Sequence, residues 1–204
     1  LAGIAVAVLS IAMIDMLEVH EPVLAHKKRM EETRRKTGHN EYARQFVHAM
    51  AGVAVLAYAY FFGSQNAAMV IAWILLCGLV LFDMKAKGNR LKIVDPVLSY
   101  LERPDSPPGF GALAYFAGML FCLAFFRQEI ALSMLFVLAI SDSASTISGK
   151  TFGKTRLPYN KDKSLAGTAA FAVFALPVYF IGGAPALAAG LFATVIESLP
   201  LRVN

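Results

Sequence analysis

The sequence predicts an all-α fold, a polytopic integral membrane bundle of about seven transmembrane helices with cytoplasmic catalytic loops. Three observations carry that expectation. Of the 204 residues, 57% are hydrophobic and 16% are charged, and the mean hydropathy is +0.58, so the apolar surface exceeds what one soluble core of this length can hide. Apolar runs recur at a length suited to crossing about 30 Å of hydrocarbon. Lysines and arginines gather between alternate runs and are scarce elsewhere. A single transmembrane catalytic domain over 1–204 is expected, with residues missing beyond both ends.

The spans are expected near 1 to 17, 46 to 62, 67 to 82, 111 to 126, 130 to 147, 165 to 182 and 185 to 199. The first begins at Leu1 inside an apolar run and lacks the positive leader and small-residue cleavage site of a signal peptide. Several runs are short, which implies tilted packing or helices that continue past the hydrocarbon as amphipathic ends. Cys77 and Cys122 fall inside spans without metal or redox spacing and read as small apolar residues.

The loops set the orientation, because Lys and Arg accumulate on the cytoplasmic side. Lys27, Lys28, Arg29, Arg34, Arg35, Lys36 and Arg44 precede the second span, and Lys85, Lys87, Arg90, Lys92 and Arg103 follow the third. Lys150, Lys154, Arg156, Lys161 and Lys163 lie between the fifth and sixth. With seven spans these loops and Arg202 share one side, leaving Arg127 opposite. That side is read as cytoplasmic, with the N-terminus outside, in a plasma or internal membrane. The connections on the other side are too brief to build a site.

Charge of this kind ordinarily sets topology and attracts anionic lipid, but the loop after the fifth span asks for more. In Gly149-Lys150-Thr151-Phe152-Gly153-Lys154, two glycines free the backbone to present N–H groups while two lysines supply charge, a combination suited to phosphate. Three residues separate Gly149 from Gly153 and a membrane helix precedes them, so this is not a P-loop, which needs four and a strand. The segment closes with Lys163, Ser164 and Gly167 at the N-terminus of the sixth span, where free N–H groups and the helix dipole favour an anion.

Ionisable groups inside a span are costly unless paired or hydrated, and so mark function. Asp142 stands at the cytoplasmic end of the fifth span, in Ser141-Asp142-Ser143-Ala144-Ser145, where a carboxylate could hold Mg²⁺ completed by water and phosphate oxygens. The plainer alternative is a simple ion pair with a nearby lysine. Arg44 and His48, at i and i+4, share one face where the second span enters the membrane, and snorkelling alone would also explain them. Glu197 is a second carboxylate at a cytoplasmic helix end.

Three blocks together resemble the CTP-dependent lipid-alcohol kinases, the family of dolichol kinase, phytol kinase and the CTP-using diacylglycerol kinase. They are Glu41 to His48, then Ser141 through Gly149-Lys150 and Gly153-Lys154 to Lys163-Ser164-Leu165-Ala166-Gly167-Thr168, and finally Glu197-Ser198-Leu199-Pro200. A weaker block runs from Pro108 to Leu113. The chain departs from the family pattern at Gln45, where lysine is usual, and at Ala166, where glutamate is usual; an Asp-Asn pair normally follows the last block.

The resemblance implies transfer of the γ-phosphate of CTP to the hydroxyl of a membrane-embedded isoprenoid or polyprenol-type alcohol. Asp142, His48, Glu197 and Arg44 would then be catalytic. Gly149, Lys150, Gly153, Lys154, Lys163, Ser164 and Gly167 would bind nucleotide, and Asp142 and Glu197 would hold Mg²⁺. Expected partners are the nucleotide, the lipid alcohol and membrane lipids, with a second copy of the chain as a candidate and no nucleic acid.

Two other readings stay open. A CTP:phosphatidate-type cytidylyltransferase would show an Asp, a Gly-Lys element and a Lys-Ser/Thr element in similar order, and would release pyrophosphate. An ion-coupled lipid transporter would use Asp142 and Glu197 as a relay, although no inverted repeat of interrupted helices stands out.

Overall fold

The computed structural model describes residues 41–87, 94–101 and 109–200. The first expected span and most of the first basic loop lie outside the described residues. The rest is helical: α1 over Glu41–Phe62, α2 over Ser64–Ala86, the short α3 over Val94–Leu101 and α4 over Phe110–Phe125. Next come α5 over Gln128–Phe136, a π turn over Val137–Ser141 and α6 over Asp142–Phe152. After a loop, α7 covers Leu165–Ala175, a 3₁₀ turn Leu176–Val178, and α8 Tyr179–Ser198. Among the described residues there is no regular strand, only an isolated bridge between Arg156 and Ser164.

Four helical runs are long and apolar enough to cross a membrane: Glu41–Phe62, Ser64–Lys85, Gln128–Phe152 and Leu165–Ser198; Phe110–Phe125 is shorter. The last run has 34 residues, about 50 Å if straight and so longer than the hydrocarbon is thick. It is not straight. Gly183 takes φ 69° and ψ −157°, a left-handed backbone that glycine tolerates, and the chain folds back there. Gly190 consequently faces Ala175 and Val178, a Cβ on it standing 3.4 Å and 3.5 Å from their side chains. Gly183 lies in the interval left between the expected sixth and seventh spans.

The described residues form two compact units, 41–44 with 68–124 and 45–67 with 125–200. In the first, α2 and α4 approach closely, because a Cβ on Gly78 would lie 2.9 Å from Leu113. Ile71, Leu75, Met119 and Leu123 are its buried apolar residues. Lys85 of α2 pairs with Asp95 of α3.

In the second unit, α6 packs on α7, and α8 packs on both α5 and α7, around buried Leu135, Ala139, Phe171, Ala175 and Val178. Phe61, Phe180 and Phe192 project outward, Phe180 being 89% exposed. Water would penalise such a surface, whereas acyl chains accept it. Helix α1 runs antiparallel to α5–α6. Its start is tied to α6 by Ser143 Oγ, which donates to Gln45 O at 3.4 Å, while its last turns and the start of α5 line one groove.

Candidate active site

The site is assembled at the junction where α6, α7 and α8 share one end. Just before it, the N–H of Asp142 donates to Val137 O, five residues back, so one residue is added to the turn and every side chain after it is rotated relative to α5. Such π turns are rare and concentrate at functional sites. Here the turn delivers a run of buried hydroxyls, Ser141, Ser143 and Ser145, with the half-buried Asp142 among them.

Helix α6 continues through Gly149 and Lys150 to Phe152. The loop expected from Gly149 onward therefore starts only at Gly153, and the N–H of Gly149 lies within a helix instead of on an open loop. The glycines here permit close approach. A Cβ on Gly153 would stand 2.0 Å from Gly149 O and 2.5 Å from Ser164 Oγ, and one on Gly167 would stand 3.0 Å from Ser145 O and 3.3 Å from Gly149 Cα. Ser164 sits at the centre of this contact as the N-cap of α7, its Oγ accepting from the Gly167 N–H at 3.1 Å, which satisfies one of the donors a helix start leaves open.

Between α6 and α7 the chain makes a tight hairpin. Leu165 N–H donates to Thr155 O and Leu157 N–H to Lys163 O, both at 3.0 Å. Its tip docks on the end of α8: Tyr159 Oη donates to Ser198 Oγ, and Asn160 Nδ2 to Ser198 O, each at 3.0 Å. Lys163 emerges from the hairpin and pairs with Glu197 Oε1, which also accepts from Ser145 Oγ at 3.0 Å. One carboxylate oxygen thus joins α6, the hairpin and α8.

The other oxygen, Glu197 Oε2, is buried without a hydrogen-bond partner, as are Ser141 Oγ and Thr168 Oγ1. An orphaned carboxylate oxygen is costly unless a cation meets it. Among the described residues no three His, Cys, Asp or Glu side chains group closely enough to hold a metal by themselves. A metal here would need oxygens from water or a ligand, which is how Mg²⁺ is ordinarily held beside phosphates.

The expected residues divide accordingly. Gly149, Gly153, Lys163, Ser164, Gly167 and Glu197 meet in one cluster, with Asp142 one helical turn before Ser145. Lys150 and Lys154 are exposed beside it. His48 lies one turn beyond Gln45, on the α1 segment that Ser143 holds. Arg44 belongs to the other unit and pairs with Glu41 one turn earlier. Tyr159 and Asn160 were not singled out from the sequence, and Ser198 entered only as a member of the last block; the Pro158-Tyr159-Asn160 stretch between Gly153-Lys154 and Lys163-Ser164 was the available signal.

A groove of about 530 Å³ opens elsewhere in this unit, lined by Leu56, Ala57 and Tyr60 of α1, Leu132 of α5, and Phe180 and Ile181 of α8 among others. Ala57 is twelve residues beyond Gln45 and Leu132 eleven before Ser143, so the groove lies roughly 18 Å from the cluster along the helices.

Fold and site define a polytopic helical membrane protein whose polar groups converge at one helix junction. The chain is 27% identical over 194 residues to phytol kinase 1, chloroplastic, of Arabidopsis thaliana, a match covering 83% of this chain and 62% of that protein. Over 64 residues, 31% of the chain, it is 39% identical to CTP-dependent diacylglycerol kinase 1 of Eremothecium gossypii and of Saccharomyces cerevisiae, covering 20% and 22% of those proteins. The chain thus spans less than two thirds of the length of these relatives. No family model and no solved structure matches it. The homologues found are a phytol kinase and CTP-dependent diacylglycerol kinases, which supports a family of CTP-dependent lipid kinases.

Proposed function

We propose that the chain is a kinase that transfers the γ-phosphate of CTP to the hydroxyl of a membrane-embedded isoprenoid or polyprenol-type alcohol. The observation that carries this reading is the junction of Ser145, Lys163 and Glu197, with Asp142 one helical turn before Ser145, combined with homologues that are lipid kinases. The alcohol oxygen attacks the γ-phosphorus as its bond to the β,γ-bridging oxygen breaks, giving lipid monophosphate and CDP. This transfer needs mainly positioning and charge neutralisation.

Lys150, Lys154 and Lys163 supply cations to the phosphates. Asp142 and Glu197 Oε2 would hold Mg²⁺, which would supply charge neutralisation for the transferred phosphate. Either His48 or Glu197, whose Oε1 accepts from Ser145 and Lys163, would accept the alcohol proton. Arg44 steadies the entrance of α1 through Glu41. We place the junction on the cytoplasmic face of a seven-span bundle, on the strength of the Lys and Arg bias between spans, and the lipid tail along the helices toward the Leu56–Phe180 groove.

Purified protein in nanodiscs with CTP, Mg²⁺ and a panel of phytol, geranylgeraniol, longer polyprenols and diacylglycerol should yield a lipid monophosphate and CDP. Pyrophosphate with a CDP-lipid would point instead to a cytidylyltransferase. Folded protein that forms no product from any alcohol overturns the kinase reading.

A further inference from the structure

Asn160 is 6% exposed at the tip of a solvent-facing hairpin, and all of its polar groups are engaged. Its Nδ2 donates to Ser198 O at 3.0 Å and its Oδ1 accepts from the Asp162 N–H at 3.1 Å. Its own N–H donates to Leu157 O at 3.3 Å, and its carbonyl accepts from the Lys163 N–H at 3.2 Å. Only the donor end of the amide can face a carbonyl, so the orientation is determined by chemistry. Ser198 O is among the last carbonyls of α8, which have no partner inside the helix.

We propose that Asn160 is a positioning residue, the tie that holds Lys163 against Glu197 by fastening the hairpin backbone to the end of α8. The proposal deepens the kinase reading and rests on it for the catalytic consequence. One side chain serves two ends of the ion pair. Its acceptor shapes the turn that leads into Lys163, and its donor grips the residue next to Glu197. The Tyr159 hydroxyl makes a parallel link to Ser198 Oγ, but the residue is 55% exposed, so water competes for that bond more readily than for the buried amide.

Asn160→Asp separates the two roles. The carboxylate keeps an acceptor for the Asp162 N–H but sets an oxygen against Ser198 O, so the turn survives and the tie is lost. In nanodiscs, hydrogen exchange should rise over 155–165 and 194–199 and stay unchanged in α5. With the best alcohol substrate, kcat should fall on the order of 100-fold, as misplaced catalytic groups do, with KM for the alcohol unchanged. In a Glu197→Gln background the same substitution should cost little more, since coupled residues are not additive.

Unchanged exchange in Asn160→Asp overturns the proposal. Wild-type turnover by that variant also overturns it, as does a loss that adds in full to that of Glu197→Gln. If the wild-type chain phosphorylates no alcohol, the kinase reading falls instead, and the exchange pattern alone decides whether Asn160 ties the hairpin to α8.

Discussion

Lys163 and Glu197 stand 34 residues apart in sequence and form an ion pair that joins the hairpin before α7 to the last turn of α8. Glu197 is the more buried partner, at 9% exposure against 39% for Lys163. Removing the lysine therefore leaves a carboxylate poorly solvated, and removing the carboxylate leaves a lysine that water can reach. Lys163→Met should lower the unfolding midpoint in detergent, because an uncompensated charge is left in a low-dielectric site. It should also lower kcat by about 100-fold, as loss of one preorganised cation does. Adding Glu197→Gln should recover the midpoint and leave the turnover low.

Asp142→Asn keeps the shape of the side chain and removes its charge. Turnover should fall on the order of 100-fold or more, while circular dichroism of the folded protein is preserved. The stabilisation that CTP with Mg²⁺ gives the wild-type protein, read as a thermal shift, should shrink toward that given by CTP alone.

The glycines of the α6–α7 crossing should tolerate no side chain. Gly153→Ala places a methyl 2.0 Å from Gly149 O, and backbone cannot retreat as a side-chain tip can. A loss of about 1–3 kcal/mol is expected from overpacking, read by thermal or denaturant unfolding. Gly111→Ala in α4 meets nothing within 4 Å and should be neutral or slightly stabilising, since alanine favours the helix.

Ala57→Trp should fill the groove shared by α1, α5 and α8. With the lipid tail placed there, the variant should retain turnover on short alcohols and lose it on long ones, seen as a shift in the chain-length profile of kcat/KM. An unaltered profile would separate the groove from the substrate path.

Much of the architecture was legible in the residues. The expected spans at 46 to 62, 67 to 82 and 130 to 147 fall within helices, and that at 111 to 126 overruns its helix by one residue, because apolar runs bounded by charge leave a membrane helix few alternatives. The π turn was not legible, since Val137 to Ser141 holds no proline or glycine and the insertion arises from packing. The helical state of Gly149 was also hidden: Ser, Thr and Gly are poor helix formers, and it is the close crossing with α7 that keeps the segment wound. Asn160 drew no reading from the sequence because its partner lies 38 positions away. Arg44 was grouped with His48 by spacing, yet its charge is engaged by Glu41.

The fold-back at Gly183 orders events in time as well as in space. Asp142 and Ser145 enter the bilayer with α5 and α6, and the hairpin follows, but Glu197 arrives only when the chain beyond Gly183 has turned and inserted. Until α8 is seated, Lys163 lacks its Glu197 partner and the hairpin tip lacks its contacts with Ser198. If the kinase proposal holds, a nascent chain in which α8 has not yet seated would lack the assembled junction, and seating of α8 would precede nucleotide binding.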